Sequence, residues 1–545
     1  MRLKFWLLLC CSVLAGGCFT TAISQTTTSN LKANSSVEAW IKKRVANEDV
    51  ANPTSDFPDE SQRVIGVPFL FDLLIKQAKT RTNSSVIVWI SNVTVVGEMN
   101  LTYQQIPYDL RLEDCHFLDN IDFADSHFGK NFSVSGSTFE KFVGFKGITV
   151  EGDFDGTNCH FNNLSHDPNQ GVSFQYMKIG RSLALERAEF NEDVTFLRST
   201  VTKVFAAEGA KFLGNHASFE SINIEGAFQI RKSEVNAAIN FLSARTGVFE
   251  AEETHFNGIA SFQSLTVNGN AFFDRSVFAQ QANFYDLKVV GNVQLNGATF
   301  ANALSFARAT IGGNFVLSGV IALSTFSKDL SVVKVDNLIF ESNSIAGPYS
   351  LNGITYRLLF APTDEFLRFV DNAEYQTGYS DVYQNLENYY RQRQNIDAAK
   401  AVHMAWKHRE RTILGKCTLC LDRRSRLWAH PFRYIFNCLH FLATGYGQYR
   451  EVALGWSAVF IVIGYFVFRK KEWMEFLGTE DKRQRRYHPV WYSIALFLPI
   501  VSLFDRQNWF PKANRKKSRY YLRIHILLGY FLIPIGLAAL AGLIN

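Results

Sequence analysis

The side chains best suited to chemistry fall into three groups. Cys417-Thr418-Leu419-Cys420 is a CxxC pair, and Cys438 and His440 follow within reach of a four-ligand set. Thiolate sulfur and imidazole nitrogen in that number suit tetrahedral zinc, and two neighbouring thiols also suit disulfide exchange. A lone CxxC without a second clean pair specifies neither, so no metal or cofactor is assigned. The second group is acidic. Glu186, Glu208, Glu252 or Glu253, and Asp274 recur at nearly constant spacing, broken by Arg231. Crowded carboxylates can hold a cation or raise one another's pKa; the plainer account is a solvated charged face. The third group is Cys115 and Cys159, both of which precede a phenylalanine by two positions. No Gly-x-Ser-x-Gly, P-loop or His-Glu-x-x-His string is present, so no catalytic residue is assigned and the chain is read as non-enzymatic.

A repeat must position these groups. One apolar column runs Phe117, Phe139, Phe161, Phe190, Phe212, Val235, Phe256, Phe278, Phe300. A second runs Phe123, Phe145, Phe174, Phe196, Phe219, Phe241, Phe262, Phe284, Phe306. A third runs Phe128, Val150, Ile179, Val201, Ile224, Thr246, Val267, Val289, Ile311. A fourth, weaker column holds Val134, Leu185, Ile230, Phe273, Leu295 and Leu317. The period is about 22 residues, and neighbouring columns are too close in sequence for an intervening helix. The chain therefore coils, with short strands on its faces and sharp corners between them. A single coil cannot bury its apolar face, so coils stack. Nine of them at strand spacing make a rod of roughly 43 Å. One interval is longer than the rest, and its extra residues around 165–171 must loop out at a corner. Cys115 and Cys159, two coils and roughly 9.6 Å apart, are too distant for a disulfide, which needs Cα atoms within about 7 Å. Two reduced, buried thiols are expected.

Small residues stand two before the central aromatic in Ala188-Glu189-Phe190, Ala210-Lys211-Phe212, Ala217-Ser218-Phe219, Ala282-Asn283-Phe284 and Ala298-Thr299-Phe300. This resembles the pentapeptide-repeat family across about residues 110–320. The resemblance implies a right-handed parallel β-helix. The family's coils are 20 residues rather than 22, Asn or Asp before the centre is mostly missing here, and Leu304 replaces the small residue before Phe306.

The ends of the chain differ from this middle. Arg2 and Lys4 precede an apolar stretch and small residues, which reads as a signal peptide over 1–18. Leu14-Ala15-Gly16-Gly17-Cys18 resembles a lipobox, with Cys18 as the lipidated residue. A Ser/Thr-rich tether at 19–34 leads to a cap at 35–110, with helices expected from Ser36 and Phe69 and a strand within 86–96. Parallel β-helix is expected over 111–357. From 391 to 545 there are 26 Lys/Arg against 9 Asp/Glu, whereas 111–320 has 16 against 23. A basic, helical, membrane-proximal region is expected at 358–450, with a hairpin turning near Asn395. A transmembrane region follows at 451–545, with spans near 453–468 and 520–544 and a re-entrant or short apolar segment at 489–504.

Tyr492-Ser493-Ile494-Ala495-Leu496-Phe497-Leu498-Pro499 resembles an internal stretch found after some bacterial pentapeptide-repeat domains. Thr444-Gly445-Tyr446-Gly447 matches a potassium-filter string but precedes the first span rather than lying between spans. The expected protein is a non-enzymatic scaffold or binding protein anchored in the cell membrane, its β-helix on the extracytoplasmic side. Expected partners are membrane lipids, an envelope protein and, for a pore, further copies of the chain. Nucleic acid is not among them. The alternatives are a channel-like or transport-associated protein with the β-helix as sensor, and a carbohydrate-active β-helix enzyme.

Overall fold

The computed structural model describes residues 31–77, 87–162, 171–323, 325–374, 379–419, 429–446, 450–477, 487–498 and 509–540. The leader with Cys18, most of the tether, the insertion at 163–170, Cys420 and the segment 499–508 lie outside the described residues. The chain divides into two compact units. One extends to Ser327 and takes in Val335–Gly347; the other comprises Lys328–Lys334 and everything from Pro348.

The first unit is a parallel β-solenoid, and about twelve coils of about 22 residues are found in all. Most strands are only two residues long, one side chain buried and the next turned outward. Each pairs with the equivalent strand of the next coil: Thr138↔His160 and Phe139↔Phe161, Val143↔Ile121, Thr149↔His127, Phe132↔Phe154. The register holds across the insertion, where Phe161 pairs with Phe190 and Thr149 with Lys178. The ladders begin before the clear repeat, since Val64–Gly66 already pairs with Thr94–Val96, and Ile87–Ser91 with Asp109–Glu113. They also run on past the last repeat column, where Ile321 pairs with Ser344, and the two extensions together take the count of coils beyond nine.

Two corners of each coil place a residue in left-handed backbone. Glycine holds some of these positions, such as Gly136, Gly147 and Gly209, but Asp125, Ser221 and Arg275 adopt φ of 54°, 56° and 56°. The hydrogen bonds to the next coil hold these residues there; Asp125 N–H, for example, donates to Lys146 O at 2.8 Å. The phased glycines 247, 269, 291 and 313 serve a different need. Their backbones stack directly, and Gly291 N–H donates to Gly269 O at 2.9 Å. A Cβ on Gly291 would lie 2.7 Å from that same oxygen.

The core is a set of phenylalanine columns. Phe174, Phe196, Phe219 and Phe241 stack face to face at centroid distances of 4.7, 4.9 and 4.8 Å, which matches strand spacing. Neighbouring columns meet edge to face, as in Phe139–Phe145 at 86°, the geometry that the ring quadrupole favours. The weak fourth column has a physical explanation. Where its residue is small, as at Gly156, Ala207 and Ala251, a buried phenylalanine stands two positions earlier, at Phe154, Phe205 and Phe249. At Ala271 and Phe273 the two sizes exchange places, and Phe249 still meets Phe273 at 5.3 Å. In these coils the bulky residue moves from one position to the other.

At the start of this unit, helix Ser35–Ala46 is capped by the Asn34 side chain, which accepts from Ser36 N–H at 3.1 Å. The cap thus lies two residues ahead of the expected start. Residues Val67–Phe71 form a helix that continues as a wider π-type turn over Asp72–Gln77.

The second unit is mainly helical. Helices Tyr379–Gln392 and Ile396–Leu419 form the expected hairpin, turning through Gln394 at φ 60°. Helices Ala429–Thr444, Arg450–Phe468, Pro489–Phe497 and Lys516–Leu540 follow. A small antiparallel pair, Met474–Phe476 with Trp509–Pro511, lies between them in sequence. Helices therefore form where spans were expected, but among the described residues none is long and apolar enough to cross a membrane. Arg450 and Glu451 open one of them. The other carries Lys516, Lys517, Arg519 and Arg523 in its first half and Pro534 inside.

Candidate functional site

The acidic column does form on the solenoid, and cations are built into it. Arg231 reaches Glu208 at 2.9 Å and Glu250 at 3.6 Å, Lys232 reaches Glu208 at 3.4 Å, and Arg275 pairs with Glu253. Asn296 donates to Asp274 at 2.8 Å, and Thr157 to Glu186 at 3.3 Å. Glu252 differs from the rest. Its Oε2 is buried without a hydrogen-bond partner among the described residues. Burial raises its pKa, Glu250 and Asp274 add to the rise, and its own backbone N–H and Arg231 oppose it. That is a carboxyl inclined to hold a proton, set in a face of ion pairs rather than in a cleft.

Both solenoid cysteines are buried free thiols, as expected. They occupy the inward small position that serine holds in other coils. Cys159 Sγ donates to Val134 O at 3.0 Å, just as Ser137 Oγ donates to Leu112 O at 2.8 Å. Burial pushes the Cys115 thiol up to about 12 and raises Cys159 as well, so neither is a nucleophile at neutral pH.

The CxxC lies only partly within the described residues. Cys417 is on helix Ile396–Leu419, Cys420 lies outside the described residues, and Cys438 and His440 are on helix Ala429–Thr444. No group of three or more metal-ligating side chains occurs among the described residues. Burial lowers the pKa of His440, with Lys407 and His403 adding to the effect. Tyr446, from the filter-like string, is buried and donates to Asn437 Oδ1, so it serves packing within the helical unit.

Two polar arrangements escaped the sequence reading. Glu387, inside the helical hairpin, accepts from Arg391 at 2.7 Å and from His403 at 3.0 Å. Burial works to raise its pKa, but the hydrogen bonds from His403 and Arg391 prevail and lower it. Further along, Ser493 and His525 are fully buried between three helices. Ser493 Oγ donates to Ile461 O at 2.7 Å. His525 Nε2 lies 3.0 Å from Ser493 O, a pure acceptor, so this nitrogen carries the proton. The Tyr521 hydroxyl is 3.3 Å from both His525 Nδ1 and Phe460 O. His525 Nε2 is also 3.3 Å from Ser493 Oγ, but with that nitrogen protonated toward Ser493 O and the hydroxyl proton on Ile461 O, Ser493 is not an activated nucleophile. The knot ties helices together. Gly464 admits it, since a Cβ there would lie 2.2 Å from Ser493 Oγ. No spacing rule exposes such a knot, because its members are 32 residues apart and on different helices.

Phe468 and Phe497 are buried against His525, with ring centroids 6.1 and 5.1 Å away, while many other apolar side chains of these helices are exposed. Val459, Val462, Ile463 and Phe466 are exposed on helix Arg450–Phe468, and Leu527, Phe531 and Leu537 on helix Lys516–Leu540; Phe531 is 64% exposed. Ile435, Phe436, Leu439 and Leu442 are exposed on Ala429–Thr444. Comparison with known proteins returns no matching family model, no similar curated protein and no similar solved structure.

Proposed function

We propose that the chain is a non-enzymatic scaffold or binding protein of the bacterial envelope, held at the membrane by its C-terminal helices, with the solenoid as the binding element. The observation that supports this most is the inverted polarity of the helical unit. Ser493 and His525 are fully buried while Phe531, Phe466 and Val462 face outward. Water disfavours both halves of that arrangement, whereas lipid favours both, because buried polar groups act as glue between helices whose outer faces are apolar. The anchoring unit in this reading is the cluster of helices acting together. The pentapeptide-type pattern of small residues two before several of the aromatics supports a scaffold in the solenoid, whose outer face is largely ion-paired.

The test is alkaline carbonate extraction of membranes from cells making the full chain. Retention in the membrane pellet supports anchorage; release into the supernatant with peripheral proteins overturns it. For sidedness, single introduced cysteines at Asn169 and Thr479 are labelled in intact cells with an impermeant thiol reagent. Labelling at Asn169→Cys but not at Thr479→Cys supports an extracytoplasmic solenoid.

A further inference from the structure

The helical unit carries a second feature at the rim of its apolar surface. Lys471, Met474, Glu475, Phe476, Trp509, Lys512, Ala513 and Asn514 line an open pocket of about 570 Å³. The strand pair Met474–Phe476 and Trp509–Pro511 forms its floor. Lys512 N–H donates to Trp473 O at 2.9 Å, which fixes the chain that carries Lys512. The indoles beside it are covered by cations: Arg515 lies 4.2 Å over Trp473, Lys470 4.9 Å over Trp473, and Lys471 5.8 Å over Trp509.

Among the described residues, no ion pair involves Lys470, Lys471, Lys512, Arg515, Lys516 or Lys517. On the solenoid, by contrast, cations such as Arg231 and Arg275 meet carboxylates of adjacent coils. Among the described lining residues Glu475 is the one acid, so an anion would sit on the side of Lys471 and Lys512. Helix Arg450–Phe468 ends and helix Lys516–Leu540 begins beside this pocket in sequence, and those are the helices with exposed apolar faces. An anionic headgroup above and an apolar chain along the helices describe one molecule.

We infer that this pocket is a binding site for the phosphate headgroup of an anionic phospholipid, with the Lys471 and Lys512 ammonium groups donating to phosphate oxygens and the Trp509 indole at the interfacial level. The inference rests on the membrane reading above and adds a ligand class to it. Basic residues next to tryptophan at the edge of an apolar helix are what an anionic leaflet attracts.

The test uses the full chain and two kinds of vesicle: phosphatidylcholine alone, and phosphatidylcholine with phosphatidylglycerol at 7:3. Wild type should bind both and prefer the second. Lys471→Gln combined with Lys512→Gln should lose roughly 30-fold of that preference while keeping its binding to phosphatidylcholine. Lys516→Gln combined with Lys517→Gln removes the same charge outside the pocket lining and should lose far less. Equal losses in the two double variants would overturn a pocket in favour of diffuse attraction. An unchanged preference in the first would overturn the site. Perturbation of tryptophan fluorescence by millimolar inorganic phosphate, without vesicles, would reassign the pocket to free phosphate. Failure of wild type to bind either vesicle would overturn the membrane reading itself. Far-UV circular dichroism of each variant separates lost binding from lost fold.

Discussion

Phe262 lies between Phe241 and Phe284 at centroid distances of 5.4 and 4.7 Å, and Phe249 meets it edge-on at 5.6 Å. Removing its ring leaves a cavity that rigid coils cannot close, so Phe262→Ala should cost about 3–5 kcal/mol, read from the denaturation midpoint of the solenoid. A loss below about 1 kcal/mol would mean that the coils slide to fill the gap. Gly291→Ala tests the stacked backbone. Its Cβ would press on Asn270 Oδ1 and the Gly269 carbonyl, so adding one methyl group should destabilise although alanine usually favours folding over glycine. Buried thiols give the third expectation at this scale. With its thiol raised to about 12, Cys115 stays protonated at pH 8, and a thiol reagent should modify Cys115 and Cys159 only after unfolding.

At the scale of elements, the corners and columns of the solenoid were the most legible in sequence, because each coil repeats the same test of which side chains face inward. Phe117, Phe123 and Phe128 announced three faces. The fourth was faint because a scan for one apolar position per face misses a pair that trades bulk, as Phe249 with Ala251 and Ala271 with Phe273 do. The helical hairpin was legible from its Gln/Ala/Lys/Arg composition, but its internal lock was not, since Glu387 and His403 lie on different helices. That lock has a pH signature. The folded carboxyl of Glu387 is held below its ordinary value of about 4.3. Its contribution is therefore fully present above the unfolded pKa and is lost as pH falls through the folded one. Thermal unfolding of the helical unit should shift downward on acidification below about pH 4, and Glu387→Gln should flatten that dependence. An acid profile that is the same in the variant would remove Glu387 from the account.

At the scale of the whole molecule, the sequence divides as the structure does, into a phenylalanine-rich repeat and a basic, apolar C-terminal part. The function was far less legible. The CxxC and the carboxylate column drew the eye because their residue types are reactive, yet Cys420 lies outside the described residues and the column is largely ion-paired. The informative feature was instead where ordinary residues face: Phe466, Leu527 and Phe531 outward while Ser493 and His525 lie inward beside Phe468 and Phe497, on helices that sequence periodicity alone does not orient. A nitroxide at Val462→Cys, in a chain whose other reactive thiols are serine, tests that claim most directly. The labelled protein is incubated with phosphatidylcholine vesicles, and its collisions with oxygen and with a water-soluble nickel chelate are compared. The account predicts high oxygen and low nickel accessibility at 462, with the reverse at Val290 on the solenoid. High nickel accessibility at 462 in the presence of vesicles would contradict it.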